Sequence, residues 1–575
     1  MPDMAVEVGT ELVEFDGQFS LMAAPTAAHD PGAYLVNAGG EHGEVFTRPW
    51  VVALILDLVG YTDDRDLADL RVVEPACGTG AFLGPLVTRL STSCRRRNRP
   101  ITDAVAALRA FDLLPANVEQ ACQLVRRALT DDGWPEPDVE KLAGEWVQVA
   151  DYLLRPMGVD AVDLVVGNPP YVRLEDVPDA RMQAYRAACR TMTGRSDLYI
   201  GFFERALCSL KAGGKVGFIC ADRWMRNQYG RHLRALIAEH FSADVVITMH
   251  DVNAFERRVS AYPAITILSR RPQQAALVAN TTSKFGADRA PELAGYAQGG
   301  GHATVTTPGY QASRLSHWFT GEESWPTGSP ARLTMLEHFT DHFPPLEDPA
   351  TQTRVGIGVA TGADDVFITT QTNISEPDRL LPLATVSDIA SGRLKWSGHY
   401  LVNPWDDNGL VQPRDYPRMY AYFEDNAEAL KRRNVAGRQP HRWYRTIDRV
   451  IPGLRESPKL LIPDMRLTMH PVLDEGTTYP HHNLYFVTSR GWDLRVLGGL
   501  LLSRVASAFV EAYCVKMRGG TLRFQAQYLR RIRVPRLADI SADDAGALAD
   551  AFNRRDVDAA TAVALRLYQL ESFPE

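Results

Sequence analysis

Asn168-Pro169-Pro170-Tyr171 follows the apolar run Val162-Asp163-Leu164-Val165-Val166-Gly167, which reads as a buried strand delivering its last residues to one sheet edge. An Asn, two prolines and an aromatic ring at a strand end can hold an exocyclic amine. The Asn168 side-chain carbonyl and the Pro169 backbone carbonyl are a natural pair of acceptors for its two hydrogens. Pro169 and Pro170 restrict the turn, and Tyr171 offers a flat face for stacking. The amine of a nucleobase is a poor nucleophile because its lone pair is delocalised into the ring. Bonding both hydrogens favours a pyramidal nitrogen, whose lone pair can attack an electrophilic methyl group held in line. No covalent intermediate is required, and the chain has no Pro-Cys dipeptide of the kind used in Cys-nucleophile attack on cytosine carbon 5.

A second constellation could supply the methyl group. Glu74-Pro75-Ala76-Cys77-Gly78-Thr79-Gly80-Ala81-Phe82 lies between a strand and a helix, where Ala76, Gly78 and Gly80 let the backbone approach a ligand. The next strand ends at Asp112-Leu113, where a carboxylate can accept from a ribose diol. The third ends near Asp151-Tyr152, where a carboxylate can accept from an adenine amino group and the ring can pack on the purine. Three acids in strand order, followed by the Asn-Pro-Pro-Tyr turn on the fourth strand, imply a nucleoside carrying an amino acid, S-adenosyl-L-methionine. The loop lacks the GxGxxG spacing of a dinucleotide site.

These residues need a sheet to position them. From about 44 to 271, short β-branched runs alternate with helical stretches, the pattern of a parallel α/β sheet. The expected strands are 71–74, 108–112, 146–149, 163–166, 215–220, 244–248 and 264–268. The expected helices include 49–59, 81–97, 116–129, 198–210 and 228–240, the first with Thr47 as N-cap and Pro49 in its first turn. Residues 1–43 read as an arm, 272–330 as a connector, 331–537 as a second, irregular domain, and 538–575 as terminal helices. At 575 residues two or three domains are expected. The composition, 45% apolar and 23% charged, is that of a soluble globular protein, with neither a signal peptide nor a membrane span expected. Seven cysteines without CxxC spacing suggest a reducing cytoplasm rather than a disulfide framework or a zinc site. His481-His482 has no acid or Cys partner at ligand spacing, so no metal is expected.

The ordered motifs FTRP, VVEPACGTGAFL, FDLLP, ADYLL, DLVVGNPPY, SDLYIGFFERALCSLKAGGKVGFI and AFERRVSAYPAITIL resemble the TaqI-type N6-adenine DNA methyltransferases of restriction-modification systems. The resemblance covers about 44–271 and continues more loosely to about 537. It implies a class I S-adenosylmethionine-dependent methyltransferase fold, Rossmann-like with a seven-stranded sheet, followed by an α+β target-recognition domain. It makes Thr47, Glu74, Asp112, Asp151 and Tyr152 cofactor contacts, Thr47 and Glu74 beside the methionine moiety, with Asn168 and Pro170 as further cofactor contacts. It also makes Phe255 a second contact to a flipped-out base and Arg258 a contact to the adjacent phosphate. The family's threonine is usually followed directly by proline; here Arg48 intervenes.

Similar turns occur in glutamine-modifying and RNA methyltransferases, and the same acceptors could hold the N4 amine of cytosine. The region beyond the connector favours DNA. Between Arg418 and Arg466 there are eleven Lys/Arg against six Asp/Glu. Lys516, Arg518, Arg523, Arg530, Arg531, Arg533 and Arg536 occur with no acid between Ala512 and Leu537, a basic face in a chain of net charge -8. Arg523, Arg530, Arg531 and Arg533 are the expected phosphate contacts. Double-stranded DNA is the expected partner, with a separately encoded restriction endonuclease or other defence protein implied by the resemblance. A DNA-specificity protein with a silent catalytic fold is the non-enzymatic alternative.

Overall fold

The computed structural model describes residues 46–156, 158, 161–256, 262–299, 304–514 and 522–573, and a short antiparallel pair at 14–15 and 18–19. The chain divides into two compact units, Met1–Thr334 and Met335–Glu575.

In the first unit α1 (Pro49–Val59) precedes β1 (Val72–Glu74), α2 (Leu83–Arg96), β2 (Leu108–Asp112), α3 (Pro115–Asp131), α4 (Glu136–Trp146) and β3 (Val147–Val149). Then come β4 (Val162–Gly167), α5 (Asp179–Ala188), α6 (Tyr199–Ser209), β5 (Leu210–Ala221), α7 (Arg231–His240), β6 (Ser242–Thr248) and β7 (Pro263–Ser269). The unit continues with β8 (Ala276–Thr281), α8 (Ala290–Gln298), β9 (Val305–Thr306) and β10 (Tyr310–Leu315). All eighteen fall in one sheet-and-helix layer system, whose ten strands run β9-β10-β8-β6-β7-β5-β4-β1-β2-β3.

The expected seven strands are all present, in the order 3-2-1-4-5-7-6, with β7 antiparallel to both β5 and β6. This is the seven-stranded sheet that the motif resemblance leads one to expect. Strand order reverses between β1 and β4, both parallel to each other, which opens a crevice beyond their carboxyl ends. Three further strands correct the connector expected at 272–330. There β8 pairs in parallel with β6, and β10 and β9 add antiparallel strands. The Ala, Gln and Thr content of this stretch hid a strand buried on both faces, for Ala276, Leu277, Val278 and Ala279 are all at most 2% exposed.

Helix α1 is apolar on most of its surface because it is covered on most sides: Val51, Val52, Leu54, Ile55 and Leu56 are at most 1% exposed. Gly217 on β5 lets it come close, since a Cβ there would stand 2.6 Å from the Val59 Cγ1. Pro49 occupies the first turn as expected, but the N-cap is Arg48 and makes no side-chain cap bond. Thr47 is committed elsewhere, as described below.

The second unit contains β11 (Arg354–Ile357), β12 (Ile368–Thr369), β13 (Leu380–Ala384), β14 (Tyr400–Val402), β15 (Lys459–Pro463), β16 (Val472–Asp474), β17 (Tyr479–Pro480) and β18 (Leu484–Thr488). They form two sheets, β11-β18-β15-β16 and β12-β14-β13-β17. Lys459 and Asp474, both fully buried, pair at 3.0 Å across β15 and β16. The longer helices beyond β18 are α9 (Leu494–Leu502), α10 (Arg504–Tyr513), α11 (Ala542–Arg554) and α12 (Val557–Leu567). The terminal helices belong to this unit rather than standing apart. Gly498 and Gly499 let α9 lie against α11, where a Cβ would come within 2.5 Å of the Phe552 ring and 2.4 Å of the Leu548 carbonyl oxygen. Among the described residues no single helix is long and apolar enough to cross a membrane. All seven cysteines are free.

Candidate active site

The crevice is lined by the ends of β1, β2 and β4. Strand β4 runs into the Asn168-Pro169-Pro170-Tyr171 turn, and Gly167 at its end lies beside the β1 loop, where a Cβ would stand in ordinary contact with Pro75 Cδ at 3.4 Å. The exit of the turn is clamped. Leu198 N–H donates to the Val172 carbonyl at 2.8 Å and Leu174 N–H to the Ser196 carbonyl at 2.9 Å, with Arg173 and Asp197 bridged between. Asp197 is itself fixed by the hydroxyls of Tyr199 at 2.7 Å and Tyr229 at 2.9 Å and by Arg223 at 3.2 Å. The sequence signalled SDLY as a motif but not this clamping role, which depends on a contact between two loops.

Asn168 Nδ2 donates to Thr47 Oγ1 at 3.2 Å. A planar amide whose nitrogen faces Thr47 turns its carbonyl oxygen the other way, as an acceptor. Thr47 is 3% exposed and pairs as an antiparallel bridge with Phe255. Arg48 N–H donates to the Ala254 carbonyl, Arg48 Nε to the Phe255 carbonyl, and Glu256 N–H to the Phe46 carbonyl. Thr47 therefore anchors the lead-in to the site rather than capping α1. Tyr171 and Phe255 meet edge to face, with ring centroids 6.2 Å apart and planes at 84°. The Tyr171 hydroxyl is buried without a hydrogen-bond partner, and burial holds its pKa well above the ordinary tyrosine value. Arg258 lies outside the described residues.

On the other side of the crevice Glu74 is 1% exposed, and its Oε2 is buried without a hydrogen-bond partner. Burial, with the Asp112 charge adding to it, raises its pKa well above the usual carboxylate range; only the Phe82 backbone amide opposes. Gly78, at φ +52°, has no heavy atom within 4 Å of where a Cβ would stand, while Gly80, at φ +104°, sits against Leu124. Asp112 Oδ2 accepts from Gly78 N–H at 2.9 Å, and Oδ1 accepts from Leu114 N–H at 2.9 Å and Asn117 Nδ2 at 3.2 Å. The acid thus fastens the glycine loop to the end of β2. Ala76 belongs to that loop and Leu113 follows Asp112.

Asp151 Oδ1 accepts from Leu153 N–H at 3.1 Å, and Oδ2 from the Tyr185 hydroxyl at 2.8 Å, with Arg181 Nε at 3.5 Å. Burial raises its pKa, opposed by Tyr185 and Arg181. Tyr185 and Arg181 come from α5, which carries no motif and was missed. Tyr152, expected to pack on a purine, presents no open face. It is 2% exposed, stacked on Phe202 at 5.4 Å and 22° and flanked by Phe111 at 6.3 Å. An aromatic residue after a strand serves the core as readily as a ligand, and here the core takes it.

This arrangement, a switch-point crevice with a buried acid on β1 and the Asn-Pro-Pro-Tyr turn on β4, can be set beside the relatives of the chain. Residues 135–255 match the Eco57I restriction-modification methylase family. The Type II methyltransferase M.PaeR7I of Pseudomonas aeruginosa is 43% identical over 568 residues, covering 95% of this chain and 97% of that protein. M.XhoI of Xanthomonas vasicola is 40% identical, covering 92% and 97%, and M.BstVI of Geobacillus stearothermophilus is 37% identical, covering 92% and 96%. The chain belongs to the Type II methyltransferases of restriction-modification systems. The cofactor of this Type II methyltransferase is S-adenosylmethionine. The residues present fit it. Glu74 offers a buried, incompletely bonded carboxylate to a cationic amino acid, and Gly78 leaves its front open.

The basic run of the second unit is less available than the sequence suggested. Arg530 donates to the Val355 carbonyl through Nε at 3.2 Å and Nη2 at 3.1 Å, and pairs with Glu347 at 3.4 Å. Arg533 donates to the Phe343 carbonyl, and Arg531 lies 4.3 Å over the Tyr513 ring. These guanidinium groups hold their own unit together. Arg523 and Arg530 are similarly exposed, 52% and 47% at the side chain, and each faces an acid, Asp464 at 3.5 Å for Arg523. Arg523 differs in that no backbone bond is among the described contacts of its side chain, and it lies on a strand pair with Met465, which is 56% exposed. Lys516 and Arg518 lie outside the described residues.

Proposed function

We propose that this methyltransferase modifies the N6 amine of adenine in specific duplex DNA, with the target base flipped into the crevice. The observation that carries the reading is the orientation of Asn168. Its amide nitrogen is occupied by Thr47, so its oxygen is the end that can accept a hydrogen from a base amine, beside the Pro169 carbonyl. Asn rather than Ser at the head of the turn favours adenine over the N4 amine of cytosine.

When bound, the cofactor supplies an electrophilic methyl group on a sulfonium. Glu74 would hold its amino-acid end, Asp112 its ribose side and Asp151 its adenine side, all at strand ends lining the crevice. Tyr171 would stack on the flipped base, with Phe255 packed edge-on against Tyr171 to fix the ring plane. Asn168 and Pro169 would accept the two amine hydrogens, favouring a nucleophilic nitrogen. The excess proton then passes to solvent, for no group at the turn is suited to retain it.

For DNA contact, Arg523 with Met465 and Leu467, the last 61% exposed, forms the combination of charge and apolar surface suited to a groove. Arg258 remains the phosphate contact suggested by the family resemblance. DNA carrying 2-aminopurine at the target position tests base flipping. A strong fluorescence rise on binding, lost when the target is moved to another position, is expected; no change at any position contradicts the flipped geometry.

A further inference from the structure

His481 and His482 sit in the turn that leaves β17 in one sheet of the second unit and enters β18 in the other. The fold brings an acid to them that sequence spacing concealed. Asp364, 117 positions earlier, places Oδ2 at 3.1 Å from His481 Nε2. One ligand atom from each of Asp364, His481 and His482 falls within 4.8 Å of the others, and the two imidazole centroids are 4.1 Å apart. The Nδ1 of His482 is buried and has no hydrogen-bond partner. A hydrogen-bonded His481–Asp364 pair alone accounts for two of these groups and leaves that nitrogen stranded.

The frame that holds them is stiff. His481 N–H donates to the Ala384 carbonyl and His482 N–H to the Val359 carbonyl, both at 3.0 Å, and Val359 N–H donates to the Pro480 carbonyl at 3.0 Å. Gly358 allows this approach, since a Cβ there would lie 2.2 Å from the His481 carbonyl oxygen. On the other side the Thr361 hydroxyl donates to Asp364 Oδ1, fixing the carboxylate at the start of a helical turn. Two imidazoles and one carboxylate are the donor set of a borderline divalent cation, with an open position for water. Tetrahedral coordination at about 2.0–2.1 Å draws ligand atoms to roughly 3.3 Å from one another. Asp364 Oδ2 and His481 Nε2, 3.1 Å apart, already stand near that separation.

We propose that Asp364, His481 and His482 bind one zinc-like divalent cation, which pins the crossover between the two sheets of the second unit. We assign the ion a structural role because its ligands join two segments distant in sequence within one unit. It cross-links a segment near 359–364 to one near 480–482, and stabilises that unit by binding the folded form alone.

The test uses untagged full-length protein stripped with a chelator and then titrated with zinc(II) or cobalt(II) alone. One equivalent per chain, a visible d–d band with cobalt(II), and a melting temperature raised by added zinc are expected. His482→Ala and Asp364→Asn should each weaken zinc binding at least tenfold and lose the thermal shift, while melting cooperatively without metal. Absence of stoichiometric binding at micromolar zinc overturns the proposal. So does binding that both variants retain at wild-type affinity.

Discussion

The side-chain amide of Asn168 donates to the hydroxyl of Thr47 across 121 positions of sequence, at 3.2 Å. On the proposed reading, this bond helps to set which end of Asn168 faces a substrate. Thr47 is a positioning residue, and its replacement should affect chemistry more than binding. Thr47→Val is expected to lower kcat about tenfold with little change in KM for DNA, and Thr47→Ser to restore it. Steady-state kinetics of the three proteins decide the point. A Val variant with unchanged kcat would show that the orientation of Asn168 has another source.

Asn168→Ala should reduce methyl transfer by a factor of about 100 or more, the scale of losing one pre-positioned acceptor. Cofactor affinity, measured calorimetrically, should stay near wild type. Appreciable activity in this variant would remove the residue from the mechanism.

Tyr171 separates ring from hydroxyl. Its hydroxyl is buried and unpartnered, so Tyr171→Phe removes a group that gains nothing from the fold. The Phe variant should keep its activity and melt at or above the wild-type temperature, whereas Tyr171→Ala should lose most activity. A Phe variant as impaired as the Ala variant would assign the hydroxyl a role that stacking does not supply.

Glu74 carries a pH signature. Its folded-state pKa is raised by burial and by Asp112, so the native protein holds a proton that the unfolded chain has already released. Its contribution is therefore most favourable below the ordinary carboxylate pKa of about 4.3, and stability is lost as pH rises from there towards the folded value. Glu74→Gln should remove that slope. The cofactor-free variant should be more stable than wild type at pH 8 by about 1–3 kcal/mol, the difference shrinking towards acid pH. Its cofactor affinity should fall at least tenfold. A variant less stable than wild type at pH 8 would mean that the buried carboxylate is compensated in the native state.

How much of this was legible in the sequence depended on distance along the chain. Pro49 and the apolar run after it gave α1 its bounds, and β2 ended at Asp112 as read, because those signals are local. The Asn-Pro-Pro-Tyr turn was legible for the same reason. Thr47 was misread as a cap because its partners, Asn168 and Phe255, meet it only through the fold. Asp364 was invisible beside His481 on the same grounds. The basic run at 523–536 shows a different limit. Composition counted the arginines, but could not show that Arg530 and Arg533 spend their donors on backbone carbonyls.

That difference yields a prediction for DNA binding. Arg523→Ala should weaken binding and reduce the slope of log affinity against log salt by about 1, the value for one phosphate contact. Arg530→Ala should instead lower the melting temperature. An unchanged salt slope for Arg523→Ala, measured by fluorescence anisotropy across salt concentrations, would exclude it from the phosphate interface.

The central claim is the identity of the methylated atom. Duplex DNA containing the recognition sequence, incubated with the protein and methyl-labelled S-adenosylmethionine and then digested to nucleosides, should carry its label in N6-methyladenine, with none from Asn168→Ala. Label in 4-methylcytosine, label found in RNA alone, or no label in a correctly folded protein would contradict the account.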